Sequence, residues 1–167
     1  MATVTSAEPS PDLCVLLSQA SHALATRTAA ALSDVGTSPR GHCVLYHALA
    51  GERTQGELAG LCGLDKTTMV VTVDELERAG LAERRSSRTD RRTRIVAVTE
   101  EGRRVVEAGN AVVRRLRDAV LAALPPDDRD AFCDGLVRLV QGPLAAPVEC
   151  DPPIRRRAPR QRSSQNI

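Results

Sequence analysis

The chain has 167 residues, 42% hydrophobic and 26% charged, with a formal net charge of +2. This length suits one compact domain with tails, and no apolar stretch is long enough to cross a bilayer. Aromatic residues make up only 1%, Tyr46 and Phe132, which excludes modules that bind single strands by stacking bases on aromatic platforms.

Residues 1–11 are small and polar with two prolines and read as a flexible start. From Asp12 to about Ser33, Leu13, Leu16, Leu17, Ala20, Leu24 and Ala31 recur at helical spacing. A second helix begins at Ser38-Pro39, serine as N-cap and proline in the first helical position, and runs to about Leu49. Thr54 caps a short third helix through Leu61, broken by Gly63. A fourth runs from the Asp65 cap to about Ala79 and stops at Gly80. Leu81–Arg85 and Thr93–Val98, joined by the polar Ser86–Asp90 segment, read as a β-hairpin.

Thr99 caps a long fifth helix with Glu100 and Glu101 in its first turn, where acids suit the helix dipole. Its stripe of Val105, Val112, Leu116, Ala119, Val120 and Ala123 calls for a partner surface, and a second copy of the chain is the simplest. Pro125-Pro126 end it. A last helix spans about Asp127 to Val140 with Phe132, Leu136 and Leu139 inward. The expected architecture is mainly α: a winged helix-turn-helix over about 38–98, with dimerisation helices at about 12–33 and 99–141. Together these make one domain over 12–142, followed by a disordered Pro/Arg-rich basic tail over 143–167.

Charge is concentrated in two places. Arg84, Arg85, Arg88, Arg91, Arg92 and Arg94 are opposed within their run only by Asp90, and Arg155, Arg156, Arg157, Arg160 and Arg162 crowd the tail. Such density is the footprint of a phosphate-binding surface. In the helix-turn-helix, Leu58, Ala59, Leu61, Leu64, Met69, Val73 and Leu76 form the expected inward set. Thr54, Lys66, Thr67, Thr68, Val70 and Val71 are left for double-stranded DNA. A helix entering the major groove by its N-terminal turn offers a lysine to phosphate, hydroxyls to phosphates or base edges, and valine to a thymine methyl. Arg88, Asp90, Arg91 and Arg92 lie at the wing tip, which can follow the backbone or enter a narrow minor groove.

The stretch LAGLCGLDKTTMVVTVDELERAGLAERRSSRTDRRTRIVAVTEEG resembles the MarR family of regulators in its helix-turn-helix frame, LERAGL turn, Asp90-x-Arg92 wing signature and following VTEEG. The resemblance implies a homodimeric repressor of a palindromic operator, joined through its first, fifth and sixth helices. It makes Arg92 the minor-groove arginine and Asp90 the residue orienting the wing through an internal ion pair. Met69-Val70-Val71 stands where many members carry a polar or basic residue, so base readout is expected to be more apolar.

Two release signals are open. One is a small-molecule effector in an aliphatic pocket near His22, Arg27, His42 and His47. The other is oxidation of Cys14, whose Asp-Leu-Cys setting resembles the organic-peroxide-sensing branch of the family, with Cys133 or Cys150 as resolving thiol. Thr28 and Ser38 stand where that branch has tyrosines. The five scattered cysteines form no CxxC pair, and His42 and His47 are not i, i+4, so neither a metal site nor a cofactor is expected. No Ser/His/Asp order, phosphate-cradling loop or HExxH motif points to an enzyme. The alternatives are a peroxide-reactive thiol protein and a winged-helix interaction module that never touches DNA. With no signal peptide in view, the expected location is the cytoplasm.

Overall fold

Asp12 opens the first helix by accepting the backbone N–H of Cys14 at 2.7 Å, which satisfies a donor that the helix itself cannot pair. A computed structural model of the chain describes residues 12–146. It divides into two units, 1–120 and 121–167. The basic tail beyond 146, and Cys150 with it, lies outside the described residues.

The first unit holds α1 (Leu13–Ser33), α2 (Pro39–Leu49), α3 (Gln55–Cys62), α4 (Lys66–Arg78), β1 (Ala82–Ser86), β2 (Arg94–Val98) and most of α5 (Glu100–Leu121). The first helix begins after Asp12, and the next three begin at their expected caps. Ser38 Oγ accepts from the Gly41 N–H, Thr54 and Glu57 form a reciprocal capping box, and Asp65 accepts from the Thr68 N–H. Gly63 ends α3 in the left-handed conformation (φ 61°), where a side chain would be strained.

The core joins α2, α3, α4, the hairpin and the start of α5 through Val44, Leu45, Leu58, Met69, Val73, Leu76, Val96 and Val106. β1 and β2 pair antiparallel with Arg84 opposite Val96 and Ser86 opposite Arg94. Thr54 adds an isolated bridge to Ile95, and Val96 N–H donates to the Arg53 carbonyl at 3.0 Å, so the α2–α3 connection seats the hairpin.

Several apolar expectations change. Leu61 is exposed, because Cys62, one helical repeat after Leu58, takes the inward place instead. On α1 only Leu32 is buried, while Leu13, Leu16 and Leu24 remain exposed. On α5, Val105 and Val106 are buried and Val112 and Leu116 half-buried, but Ala119 and Val120 are exposed, and Ala123 falls beyond the helix end at Leu121. The second unit contains α6 (Asp128–Gln141), where Leu136 and Leu139 are half-buried. Phe132, expected inward, is exposed, since among the described residues no other helix of its own unit covers it.

Candidate nucleic-acid interface

The α3–turn–α4 pair exposes the start of its second helix. Lys66 and Thr67 are exposed, and Val70 and Val71 are exposed by 44% and 50% while Met69 and Val73 beneath them are buried. Large apolar side chains left in solvent beside a lysine and hydroxyls suit the floor of a major groove, where thymine methyls offer apolar contact. Thr68 is half-buried, and its hydroxyl donates to Asp65 Oδ2 at 2.6 Å. Its first task is therefore the cap, which leaves Thr67 as the freer hydroxyl. Thr54 is likewise engaged, its N–H and hydroxyl both donating to Glu57.

The wing is held by two carboxylates. Glu52, in the α2–α3 connection, accepts the Ser87 hydroxyl at 2.6 Å, the Arg88 backbone N–H at 3.2 Å and Arg88 Nε at 3.1 Å. Asp90 accepts the Arg92 backbone N–H and the Thr93 hydroxyl, each at 2.9 Å. The expected internal ion pair of Asp90 is thus replaced by a hydrogen-bonded turn; the main chain supplies the donor, so the Arg92 guanidinium is not consumed in shaping the loop. Sequence reasoning missed Glu52, which stands 36 positions from Arg88 and carries no local signature.

Arg84 leaves the expected cationic cluster. Its guanidinium is ion-paired to Glu77 and, at 2.6 Å, to Asp74, so it locks the hairpin to α4. Arg88 is paired with Glu52. Among the described residues, no carboxylate pairs with Arg85, Arg91, Arg92 or Arg94. Four unopposed arginines thus lie on the hairpin and its tip.

Hydrogen bonds set the carboxylate chemistry of this surface. The Ser87 hydroxyl and Arg88 N–H hold Glu52 below its ordinary 4.5, and the Thr54 N–H and hydroxyl do the same for Glu57. The Thr68 hydroxyl and N–H lower Asp65 from 3.8, and the Arg92 N–H followed by the Thr93 hydroxyl lower Asp90. Groups with lowered folded-state values stabilise the fold above their unfolded values and lose that contribution as pH falls through the folded ones. The melting temperature should therefore fall as the pH drops below about 5. Glu52→Gln should flatten part of that fall in calorimetry, and an unchanged profile would remove Glu52 from this role.

The other expected site residues are dispersed. His22 and Arg27 are exposed on α1. His42 is half-buried against α5, where a Cβ on Gly109 would lie 2.7 Å from His42 Nε2, a buried atom without a hydrogen-bond partner. His47 turns toward α3: Cys43, His47 and Cys62 bring their donor atoms within 4.8 Å of one another. The sequence-based exclusion of a metal site considered the 42/47 pair and overlooked the i, i+4 pair 43/47. Burial, then the Cys43 thiol beside it, pushes Cys62 up to about 12. Cys14 is exposed, and Cys133 is half-buried on α6. A cavity of about 550 Å³ near the α1–α2 turn and α4 is lined by Ser33, Thr37, Thr72 and Glu75, and by none of the four expected effector residues.

A family model for the MarR family matches residues 35–93. CouR from Rhodococcus jostii RHA1, solved bound to p-coumaroyl-CoA, is 30% identical with a TM-score of 0.67, the match covering 83% of this chain and 96% of that one. The chain belongs to the MarR family. A MarR-family transcriptional regulator from Rhodococcus sp. RHA1 is 29% identical over 80% of this chain and 98% of its own, with a TM-score of 0.65. The transcriptional repressor CouR bound to a 23-mer DNA duplex matches at 28% identity and a TM-score of 0.69, covering 83% and 99%. As a MarR-family protein the chain is a DNA-binding transcriptional regulator with the winged-helix fold.

Proposed function

We propose that this MarR-family protein is a homodimeric repressor that reads a palindromic duplex with α4 and the wing of each protomer and is released by a small-molecule effector. The observation that carries the reading is the exposed Lys66–Val71 face together with a hairpin whose Arg91 and Arg92 have no acidic partner among the described residues. Lys66, Thr67, Val70 and Val71 read or approach bases, Arg88, Arg91 and Arg92 meet phosphates or the minor groove, and Asp90, Thr54 and Thr68 hold the frame. The exposed Leu13, Leu16 and Leu24 of α1 suit a dimer contact. Repression is favoured by likeness to the CouR repressor, and an organic effector by the p-coumaroyl-CoA bound to CouR.

Oxidation of Cys14 is a second reading, favoured by exposure of that thiol at the start of α1. There an organic hydroperoxide would oxidise the thiolate to sulfenic acid and leave as the alcohol. The experiment is selection of sites from a random duplex pool, then fluorescence anisotropy on the selected site with acyl-CoA thioesters, or with cumene hydroperoxide followed by reductant. A two-fold symmetric site released by a thioester is the expected result. Peroxide release reversed by reductant would replace the effector with Cys14, and a pool with no enrichment would overturn the reading.

A further inference from the structure

We propose that Cys43, His47 and Cys62 form a binding site for a thiophilic d10 cation, Zn2+ or Cu+, that staples α2 to α3. Cys43 and His47 sit one helical repeat apart on α2 and so share a face. Cys62 is the last residue of α3, held there by the left-handed Gly63. All three donor atoms lie within 4.8 Å of one another and all three residues are half-buried. An ion bound at about 2.3 Å from sulfur and about 2.0 Å from nitrogen needs donors roughly 3.5–4 Å apart, within reach of small rotamer adjustments.

Donor chemistry selects the ion. Two thiolates and an imidazole are soft to borderline ligands, poor for Mg2+, Ca2+ or Mn2+ and well matched to Zn2+ and Cu+. The half-buried setting keeps the site open to exchange while limiting competing water. Binding releases the two thiol protons to solvent, and the cation replaces them between the sulfurs. No electron is transferred. Zn2+ would add a water as its fourth donor, whereas Cu+ is satisfied by three. The staple spans the two helices that back α4, so a loaded protein should melt higher than the metal-free one.

The test uses the full chain, reduced and metal-free, titrated with Zn2+ or, without oxygen, with Cu+, each against a chromophoric chelator. One equivalent per chain is expected for one of the ions, and which ion competes better identifies the native one. Cys43→Ser, Cys62→Ser or His47→Ala should weaken binding about 100-fold or more, since losing even an outer-shell partner of a metal ligand costs about 10- to 100-fold. A second measurement needs no variant. In the parent, bound ion should slow iodoacetamide alkylation of Cys43 and Cys62 at least about tenfold and leave Cys14 unchanged, read by peptide mass spectrometry. Failure to take up one equivalent of either ion, or uptake with both thiols still alkylated at the metal-free rate, overturns the site. Neither readout involves DNA, so this result stands apart from that of the operator experiment.

Discussion

The Gly102→Ala variant is expected to melt roughly 10 °C below the parent, although alanine is the better helix former. Gly102 lies in the first turn of α5, where its N–H donates to Thr99 Oγ1 at 3.0 Å. A Cβ there would run into the Leu81 carbonyl oxygen and come within 2.7 Å of Val98 Cγ1. That carbonyl cannot retreat cheaply, because it accepts the Thr99 N–H at 3.1 Å, while the Thr99 hydroxyl donates to the Gly80 carbonyl at 2.7 Å. Helix propensity favours alanine by up to about 1 kcal/mol. Overpacking against fixed backbone costs about 3 kcal/mol, so the clash decides the sign. Gly60→Ala supplies the contrast. Gly60 is exposed on α3 and a Cβ there meets nothing within 4 Å, so propensity should win and the melting temperature rise slightly. If Gly102→Ala melted at or above the parent, the close approach of α5 to the α4–β1 turn would be wrong.

What was legible in the sequence was local. Ser38, Thr54 and Asp65 announce helix starts because a cap acts over three residues, and each stands where α2 to α4 begin. The β-branched Ile95, Val96 and Val98 mark β2, again a local signal. Partnerships across the fold were not legible. Arg84 counts as interface charge until Asp74 and Glu77 are brought to it by the packing of β1 on α4. Glu52 gives no sign that it clamps the wing, and Cys62 no sign that it meets Cys43 and His47 on another helix. The apolar periodicity of α1 correctly indicates a helix, but periodicity does not say whether the face is covered within the chain, and there Leu13, Leu16 and Leu24 stay exposed. Sequence period reports the element; only the arrangement of elements reports the partner.

Arg92→Ala should weaken binding to the selected duplex about tenfold or more, and to unrelated duplexes nearly as much, with the salt slope of log K falling by about 1. The reason is the division of labour at the wing. Glu52 and Asp90 shape the tip through main-chain and hydroxyl donors, while Arg91 and Arg92 keep their guanidinium groups for an external anion. Thr67→Ala or Val71→Ala should instead change which sequences are preferred and leave the salt slope alone, since these side chains carry no charge. Asp90→Ala makes the decisive comparison, because two effects of opposite sign compete there. Removing an acid beside DNA strengthens attraction only slightly at an exposed, salt-screened position. Removing the acceptor of the Arg92 N–H and the Thr93 hydroxyl frees the tip, and ordering a loose loop at binding costs about 1–2 kcal/mol for each backbone residue that must be fixed. Loop order should prevail, so Asp90→Ala binds more weakly than the parent despite its more favourable charge. Tighter binding by Asp90→Ala would show that the turn does not preorganise Arg92 and that Asp90 acts only as a repulsive charge.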